Sequence, residues 1–256
     1  MSQMSLALCS SKITKIFGDG SSHALPVLQG IDLRIEKGAS WVVLGRSGVG
    51  KSVLLKILLG LLPMTSGDTL VDGLSVRDRA HRHSYLSYFG MLFQGGALFD
   101  SMTILGNIVF ALTERGVSRA QAIEIAHEKL AAVGLGERRV SSLFPSELSG
   151  GMKKRAALAR AIALDPKILL FDEPTTGLDS ITSSKIAYLL RDTVQTLGAT
   201  AITITHDLVT ARVLADRICL LEDGRIAWQG TQAELETTDN PQMIDLLKAA
   251  QGERAS

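Results

Sequence analysis

The run Gly45-Arg46-Ser47-Gly48-Val49-Gly50-Lys51-Ser52 constrains this chain more than any other stretch. It fits G-x-x-x-x-G-K-[ST], a loop whose backbone N–H groups cradle phosphate oxygens. The apolar Trp41-Val42-Val43-Leu44 before it reads as a buried strand, and Val53 to Leu59 after it as a helix. A strand end feeding a helix start offers unpartnered N–H groups and the positive end of the helix dipole, which favour a polyphosphate. Gly45, Gly48 and Gly50 let the main chain bend tightly and approach phosphate oxygens without a Cβ in the way. In such a loop Lys51 reaches the β- and γ-phosphates as a point charge, and the Ser52 hydroxyl ligates Mg²⁺.

A length of 256 residues with 46% apolar content fits one large α/β domain, or such a domain with an inserted subdomain. Lys plus Arg number 27 against 26 Asp plus Glu, a formal net charge of +1, so no global field recruits nucleic acid or anionic lipid. Cys9 and Cys219 have neither metal-ligand spacing nor the count of a disulfide framework, which points to packing residues in a reducing compartment. The opening MSQMSLALC lacks a basic leader and is too short for a signal, so it is expected to begin a strand. No run approaches the ~20 apolar residues that cross a bilayer. The longest, Val53 to Leu62, is interrupted by Lys56 and Gly60.

Along the chain, alternation over Ser5 to Phe17 and Ile31 to Glu36 predicts half-buried antiparallel strands, with turns at Asp19-Gly20 and Lys37-Gly38. Phe17 is either a strand-end core aromatic or a face for a nucleotide base. Pro63 and Ser66-Gly67-Asp68 are expected to end the segment after the loop helix, and Leu70 to Gly73 to form a short strand and turn. Arg77 to His83 reads as a solvated helix face, because its histidines lack metal-ligand spacing. Tyr88 to Phe93 predicts a buried strand that stops at Gln94, before the flexible Gly95-Gly96. A glutamine there is placed to bind Mg²⁺ or an attacking water and still move.

Ser101 to Leu164 lacks strand alternation and reads as three or more helices, one of them over Arg119 to Val133, forming a helical insertion. Within it, Leu148-Ser149-Gly150-Gly151-Met152 opens a second Gly-rich helix start, another place for a phosphate. Lys167 to Phe171 is an apolar strand ending in Asp172-Glu173, where one carboxylate suits the Mg²⁺ shell and the next a water. Ala199 to Thr205 is a β-branched strand ending at His206-Asp207, on the edge where α/β sheets bind ligands. Arg217 to Gln229 reads as a hairpin about Asp223-Gly224, and Pro241 to Ala250 as an amphipathic helix.

Taken in order, GRSGVGKS, LSGGM, ILLFDEP, GLDS and a strand-end histidine resemble the nucleotide-binding subunits of ATP-binding-cassette (ABC) transporters over about Ser5 to Gly230. The resemblance implies an α/β fold: a P-loop NTPase core with a RecA-like mixed sheet, an N-terminal antiparallel β-subdomain and an inserted α-helical subdomain. It implies one ABC ATPase domain over 1–256, with a core at about 5–100 and 165–230, the helical subdomain at about 101–164 and a C-terminal helical tail at about 231–256. ATP and Mg²⁺ are the implied cofactors. Phe17 would stack on adenine, and Gly45 to Ser52 with Val53 would hold the phosphates. Gln94 would be the Q-loop residue, touching Mg²⁺ and water. Ser149, Gly150 and Gly151 are the signature, Asp172 the Walker B metal carboxylate and Glu173 the base. Asp179 belongs to the D-loop, and His206 would sense the γ-phosphate.

Two positions depart from the common pattern: Val53 stands where many members have Thr, and Met152, followed by Lys153-Lys154-Arg155, where many have Gln. The stretches MLFQGGALFDSMTILGNI and PSELSGGMKKRAALARAIALDP resemble the ATPases of MCE-type (Mla-like) lipid transporters. That likeness implies a homodimer at the cytoplasmic face of the inner membrane, a membrane permease, an MCE-type lipid-binding partner and phospholipid cargo, with no nucleic acid. A polar amino-acid importer shares every catalytic motif and is the alternative. A chromosome or repair ATPase would split its cassette with a long coiled coil, and no sustained heptads occur here. A translation-factor ATPase would carry two cassettes. Because the chain lacks a spanning segment, its work is expected to pass to the permease near Gln94 to Leu105, where Ala97, Leu98, Phe99, Met102, Ile104 and Leu105 cluster.

Overall fold

The structure, a computed structural model, describes residues 5–18 and 24–250. The turn expected at Asp19-Gly20 lies outside them. The described residues fall into two compact units, one running to Tyr88 and resuming at Thr200, the other Phe89–Ala199.

The chain opens with β1 (Leu6–Phe17) antiparallel to β2 (Leu25–Glu36). Ile31, Leu33 and Ile35 are buried while Asp32 and Arg34 face solvent, the period-2 pattern of a half-buried sheet. The second strand starts six residues before that alternation begins. After β3 (Ser40–Leu44) and α1 (Lys51–Leu58), the strand β4 (Ser66–Val71) lies antiparallel on the other edge of β1, followed by β5 (Leu74–Ser75). Ser66-Gly67-Asp68 therefore does not end a segment, as its composition suggests, but begins this strand. Gly67 has φ +88°, beside a register shift between Ser11 and Thr14, and a Cβ there would run into the carbonyl of Lys12. The glycine marks a close approach of two strands. A short exposed turn, Arg79–His81, leads into α2 (Arg82–Leu86), whose Tyr85 alone is buried. This agrees with the solvated face expected for Arg77 to His83.

In the second unit β6 (Phe89–Leu92) runs parallel to β7 (Ile168–Asp172). Only Gly90 and Leu92 of β6 are buried, so the strand is half-buried and not buried throughout. Between the two strands come α3 (Ile104–Thr113), α4 (Arg119–Ala132), α5 (Arg138–Ser141) and α6 (Gly150–Ala161), and after β7 comes α7 (Ser180–Leu197). Thr103, Ser118, Ser149 and Asp179 each accept a backbone N–H in the first turn of the helix that follows, satisfying one of its orphan donors. The longest of these helices, α7, is missing from the sequence reading although Asp179 caps its start and Gly198 closes it at φ +59°. Its apolar side, Ile186, Ala187, Leu190 and Val194, begins two turns after the Ser- and Thr-rich start.

The chain returns to the first unit with β8 (Thr200–Thr205), parallel to β3, then α8 (Leu208–Leu214) and β9 (Arg217–Glu222), parallel to β3 on its other side. The strand β10 (Arg225–Thr231) completes the hairpin through Asp223-Gly224, both at positive φ as a tight two-residue turn demands. Every residue of β8 is buried. The helices α9 (Gln232–Glu236) and α10 (Pro241–Ala250) follow. The sequence reading predicted α10 but neither α8 nor α9, which are too short for a helical period to register.

Candidate active site

In the first unit the register between β3 and β8 places Leu44 opposite Thr205, so Gly45 and His206 leave the sheet side by side at strand C-termini. That rim is where open α/β sheets take ligands. Gly48 and Gly50 hold φ of +86° and +105°, so the loop needs glycine at both. Gly50 is also the N-cap of α1 and supplies no side-chain acceptor. The Lys51 ammonium, only 6% exposed, donates to the carbonyls of Gly45 at 2.7 Å and Arg46 at 3.0 Å, curling the loop about its own side chain. Arg46, Ser47, Gly48 and Ser52 are exposed along this loop, and Val49 and Val53 half-buried. A helix start uncapped by any side chain, with a hydroxyl and a lysine in its first turn, fits a polyphosphate with its magnesium ion.

His206 is exposed beyond β8. The next residue, Asp207, fixes the backbone there, because its carboxylate accepts the N–H groups of Val209 at 3.0 Å and Thr210 at 3.1 Å at the start of α8. Phe17 ends β1 with 39% of its surface exposed, and the Lys15 ammonium lies 4.8 Å from its ring centroid. It is an exposed aromatic face and not a core residue.

The second unit builds its own cluster. Leu92 pairs with Phe171, so Gln94 and Glu173 leave β6 and β7 at matching heights. Gln94 is exposed, and Asp172 and Glu173 are half-buried. Glu173 stands at φ +46°, a left-handed conformation that costs a non-glycine residue about 1–3 kcal/mol. Its carboxylate accepts the Thr176 hydroxyl at 3.2 Å, and its carbonyl accepts the Thr176 N–H at 3.3 Å. The Lys154 ammonium of α6, 6% exposed, donates to the carbonyls of both Gln94 and Glu173, the latter at 3.3 Å. Burial lowers the Lys154 pKa from its ordinary value, while the charges of Asp172 and Glu173 oppose that shift. Two turns along the same helix, the Arg160 guanidinium donates to the carbonyls of Ala97 at 2.7 Å and Gly96 at 3.1 Å. The sequence reading missed Lys154 and Arg160. A basic residue within an Ala-rich buried helix was the available signal.

Ser149 caps α6 by accepting the Met152 N–H at 3.3 Å, and Gly150 and Gly151 form the first turn. A Cβ on Gly151 would come within 2.8 Å of the Thr182 side chain, and one on Gly150 within 3.0 Å of that of Leu178, so both glycines are closely packed. Asp179 is exposed and caps α7, accepting the Thr182 N–H at 2.9 Å; hydrogen bonds from Thr182 hold its carboxyl below the usual range. Among the described residues no group of three or more His, Cys, Asp or Glu side chains is placed to hold a metal. A magnesium ion here would rest on few protein oxygens, with phosphates supplying others.

The family model for ABC transporters matches residues 28–176. Glutamine transport ATP-binding protein GlnQ of Escherichia coli is 40% identical over 232 residues, covering 89% of this chain and 92% of GlnQ. Intermembrane phospholipid transport system ATP-binding protein MlaF of Haemophilus influenzae is 37% identical over 225 residues, 87% of this chain and 84% of MlaF. "Probable ribonucleotide transport ATP-binding protein mkl" of Mycobacterium tuberculosis is 39% identical over 238 residues. The match takes in 92% of this chain but spans only 64% of the length of mkl. Among solved structures, the dimeric post-hydrolysis state of the ATP-binding cassette MJ0796, bound to ADP and Pi, superposes with a TM-score of 0.78 at 31% identity. It covers 88% of this chain and 98% of that one. The fold is thus that of an ABC cassette, a P-loop NTPase.

Proposed function

This chain belongs to the ABC transporter family, and on that premise we propose that it hydrolyses ATP as the motor subunit of a membrane transporter. The observation that carries the proposal is the phosphate loop: Lys51 folded onto the carbonyls of Gly45 and Arg46, above a helix start that no side chain caps. A magnesium–nucleotide, when bound, supplies the scissile phosphoanhydride and the charge of the metal. With that group bound, Lys51 would compensate phosphate charge, Ser52 and Asp172 would offer oxygens to the metal, and Glu173 would accept the proton of the attacking water. Gln94 and His206 would orient that water and the γ-phosphate, Phe17 would offer its face to the base, and Ser149 to Gly151 with Asp179 would contact the nucleotide of a second copy.

A homodimer follows from there being one phosphate loop and one LSGG run in the chain. A two-fold pair lets the signature of each copy close the site of the other. The dimeric cassette among the solved relatives supports this reading. ATP turnover of the purified chain should then fall more steeply than concentration on dilution; a rate per chain independent of dilution would rule the dimer out.

For cargo we propose phospholipid, delivered through a permease with an MCE-type partner at the cytoplasmic face of the inner membrane. Overall identity does not separate lipid from amino-acid relatives, at 37% and 40%. What supports lipid is the pair of stretches around Gln94 and Met152. Among the described residues no helix is long and apolar enough to cross a membrane; in this reading the pathway lies in a permease. Mass spectrometry of the proteins and lipids that copurify with the chain tests this. An amino-acid-binding protein in place of an MCE-type partner would establish the alternative.

A further inference from the structure

We propose that Lys154 is a positioning residue for hydrolysis: one buried ammonium holds the glutamine loop and the strained catalytic glutamate at a fixed spacing. The inference rests on the reading of Glu173 as the base. Three observations carry it.

Lys154 lies on the buried side of α6, while its neighbours Lys153 and Arg155 are only half-buried. A lysine left at 6% exposure needs several partners for its charge, and it finds the backbone carbonyls of Gln94 and Glu173. Those two residues follow parallel strands, just beyond the register that pairs Leu92 with Phe171. The ammonium bridges the two chains at the point where the strands end.

The carbonyl it holds on one side belongs to a residue at φ +46°. A left-handed glutamate persists only when its surroundings over-determine it. The Thr176 N–H and the Lys154 ammonium both anchor that carbonyl, and the Thr176 hydroxyl takes the carboxylate. Losing the ammonium removes one of these anchors and loosens the peptide after Glu173, and with it the aim of the carboxylate.

Arg160 adds a second grip on the same loop, through the carbonyls of Gly96 and Ala97, where Ala97 also stands at positive φ. The segment from Gln94 to Ala97 is thereby tied to α6, the helix that begins with Ser149-Gly150-Gly151. Any displacement of that helix start moves the glutamine loop and the Glu173 backbone together. Lys154 touches no reacting atom in this scheme and acts through Glu173 and Gln94.

The test uses the full chain in the detergent-solubilised membrane complex that copurifies with it, comparing Lys154→Met, Lys154→Arg, Glu173→Gln and the double variant Lys154→Met/Glu173→Gln. Lys154→Met should cut kcat roughly 10- to 100-fold with ATP affinity changed less than about threefold, the pattern of an interaction lost from the transition state. Lys154→Arg, which restores a cation with several donors, should recover at least a third of the loss. In the Glu173→Gln background Lys154→Met should lower the residual rate less than about twofold, because it acts through a group already removed. A folded Lys154→Met protein with unchanged kcat overturns the proposal, as does full additivity with Glu173→Gln. Should Lys154→Met not fold, Lys154→Gln, which keeps a donor but not the charge, decides the matter: an intact fold with a reduced kcat and unaltered ATP affinity supports positioning, and unaltered kcat and affinity refute it. If Glu173→Gln alone leaves turnover intact, the reading of the base fails instead, which the single variants distinguish.

Discussion

Asn107 offers the sharpest test of how the segment beyond Gln94 is held. It is fully buried in α3, yet polar. Its amide nitrogen donates to the carbonyls of Phe99 at 3.1 Å, Met102 at 3.3 Å and Thr103 at 3.0 Å, and its amide oxygen accepts the Phe99 N–H at 2.7 Å. Two donor hydrogens and one acceptor are thus fully used, and the loop from Phe99 to Thr103 is shaped around one side chain. Asn107→Ala removes about three hydrogen bonds at ~1 kcal/mol each, so the loss should be about 3 kcal/mol. For a chain of this size that corresponds to a fall in Tm of roughly 6–12 °C.

Asn107→Asp separates this account from simple loss of volume. The aspartate keeps the bond from the Phe99 N–H but turns its second oxygen toward three carbonyl oxygens. Desolvation and those carbonyls raise the folded pKa of the introduced carboxyl above its unfolded value near 3.9. Proton uptake then favours the folded state: the penalty is fully present above the folded pKa and disappears as pH falls toward the unfolded one. At pH 8 Asn107→Asp should be less stable than Asn107→Ala, with the gap closing on acidification toward pH 5. Urea denaturation followed by circular dichroism at the two pH values measures both quantities. An Asn107→Asp protein as stable as Asn107→Ala at pH 8 would refute the hydrogen-bond geometry on which the estimate rests.

Other substitutions should divide by function. Lys51→Ala should lower ATP affinity together with activity, whereas Glu173→Gln and His206→Ala should bind ATP normally, with turnover down ~10²-fold or more in the former, and accumulate an ATP-bound dimer; equilibrium binding with single-turnover kinetics separates the classes. Phe99→Asp, at a ring 45% exposed and edge-on to Phe110 at 5.3 Å, should abolish copurification of the permease while leaving the fold and ATP binding intact. Undiminished copurification would exclude this docking site. Gly90→Ala should lower Tm, because the new Cβ meets the Ala161 carbonyl and comes within 2.7 Å of Pro166. Such overpacking costs about 1–3 kcal/mol, and an unchanged melting curve would show that α6 shifts freely.

The parts of the fold legible in the sequence were those where one physical signal dominates. Alternation located β1 and β2, uninterrupted apolar runs located β3 and β7, β-branched residues located β8, and Asp223-Gly224 fixed the last hairpin. Competing signals hid the rest. Gly67 looks like a breaker because its composition does not reveal that another backbone lies against it. The start of α7 reads as loop because Ser180, Thr182, Ser183 and Ser184 carry turn propensity, although Asp179 makes them a capped first turn. Three successive basic residues in α6 carry the same charge, and only the rotation of the helix decides that Lys154 turns inward. The apolar cluster near Phe99 divides in the same way: Ile104 is core, whereas Phe99 is exposed.

The division also explains why nucleotide chemistry is readable while cargo is not. Relatives whose names concern glutamine and phospholipid match this chain at 40% and 37% identity. The residues that build the phosphate loop, the Glu173 cluster and the helix caps answer to one ligand class whatever the transporter carries. Cargo can act on such a chain only through surfaces whose composition has no internal cause. The exposed pair Phe99 and Phe110 comes nearest to that condition: the Arg160 guanidinium lies 5.9 Å from the Phe99 ring centroid, yet both rings remain in contact with water. The residues most specific to the transported molecule are therefore sought on this aromatic patch, the proposed docking site, and not in the motifs that identify the family.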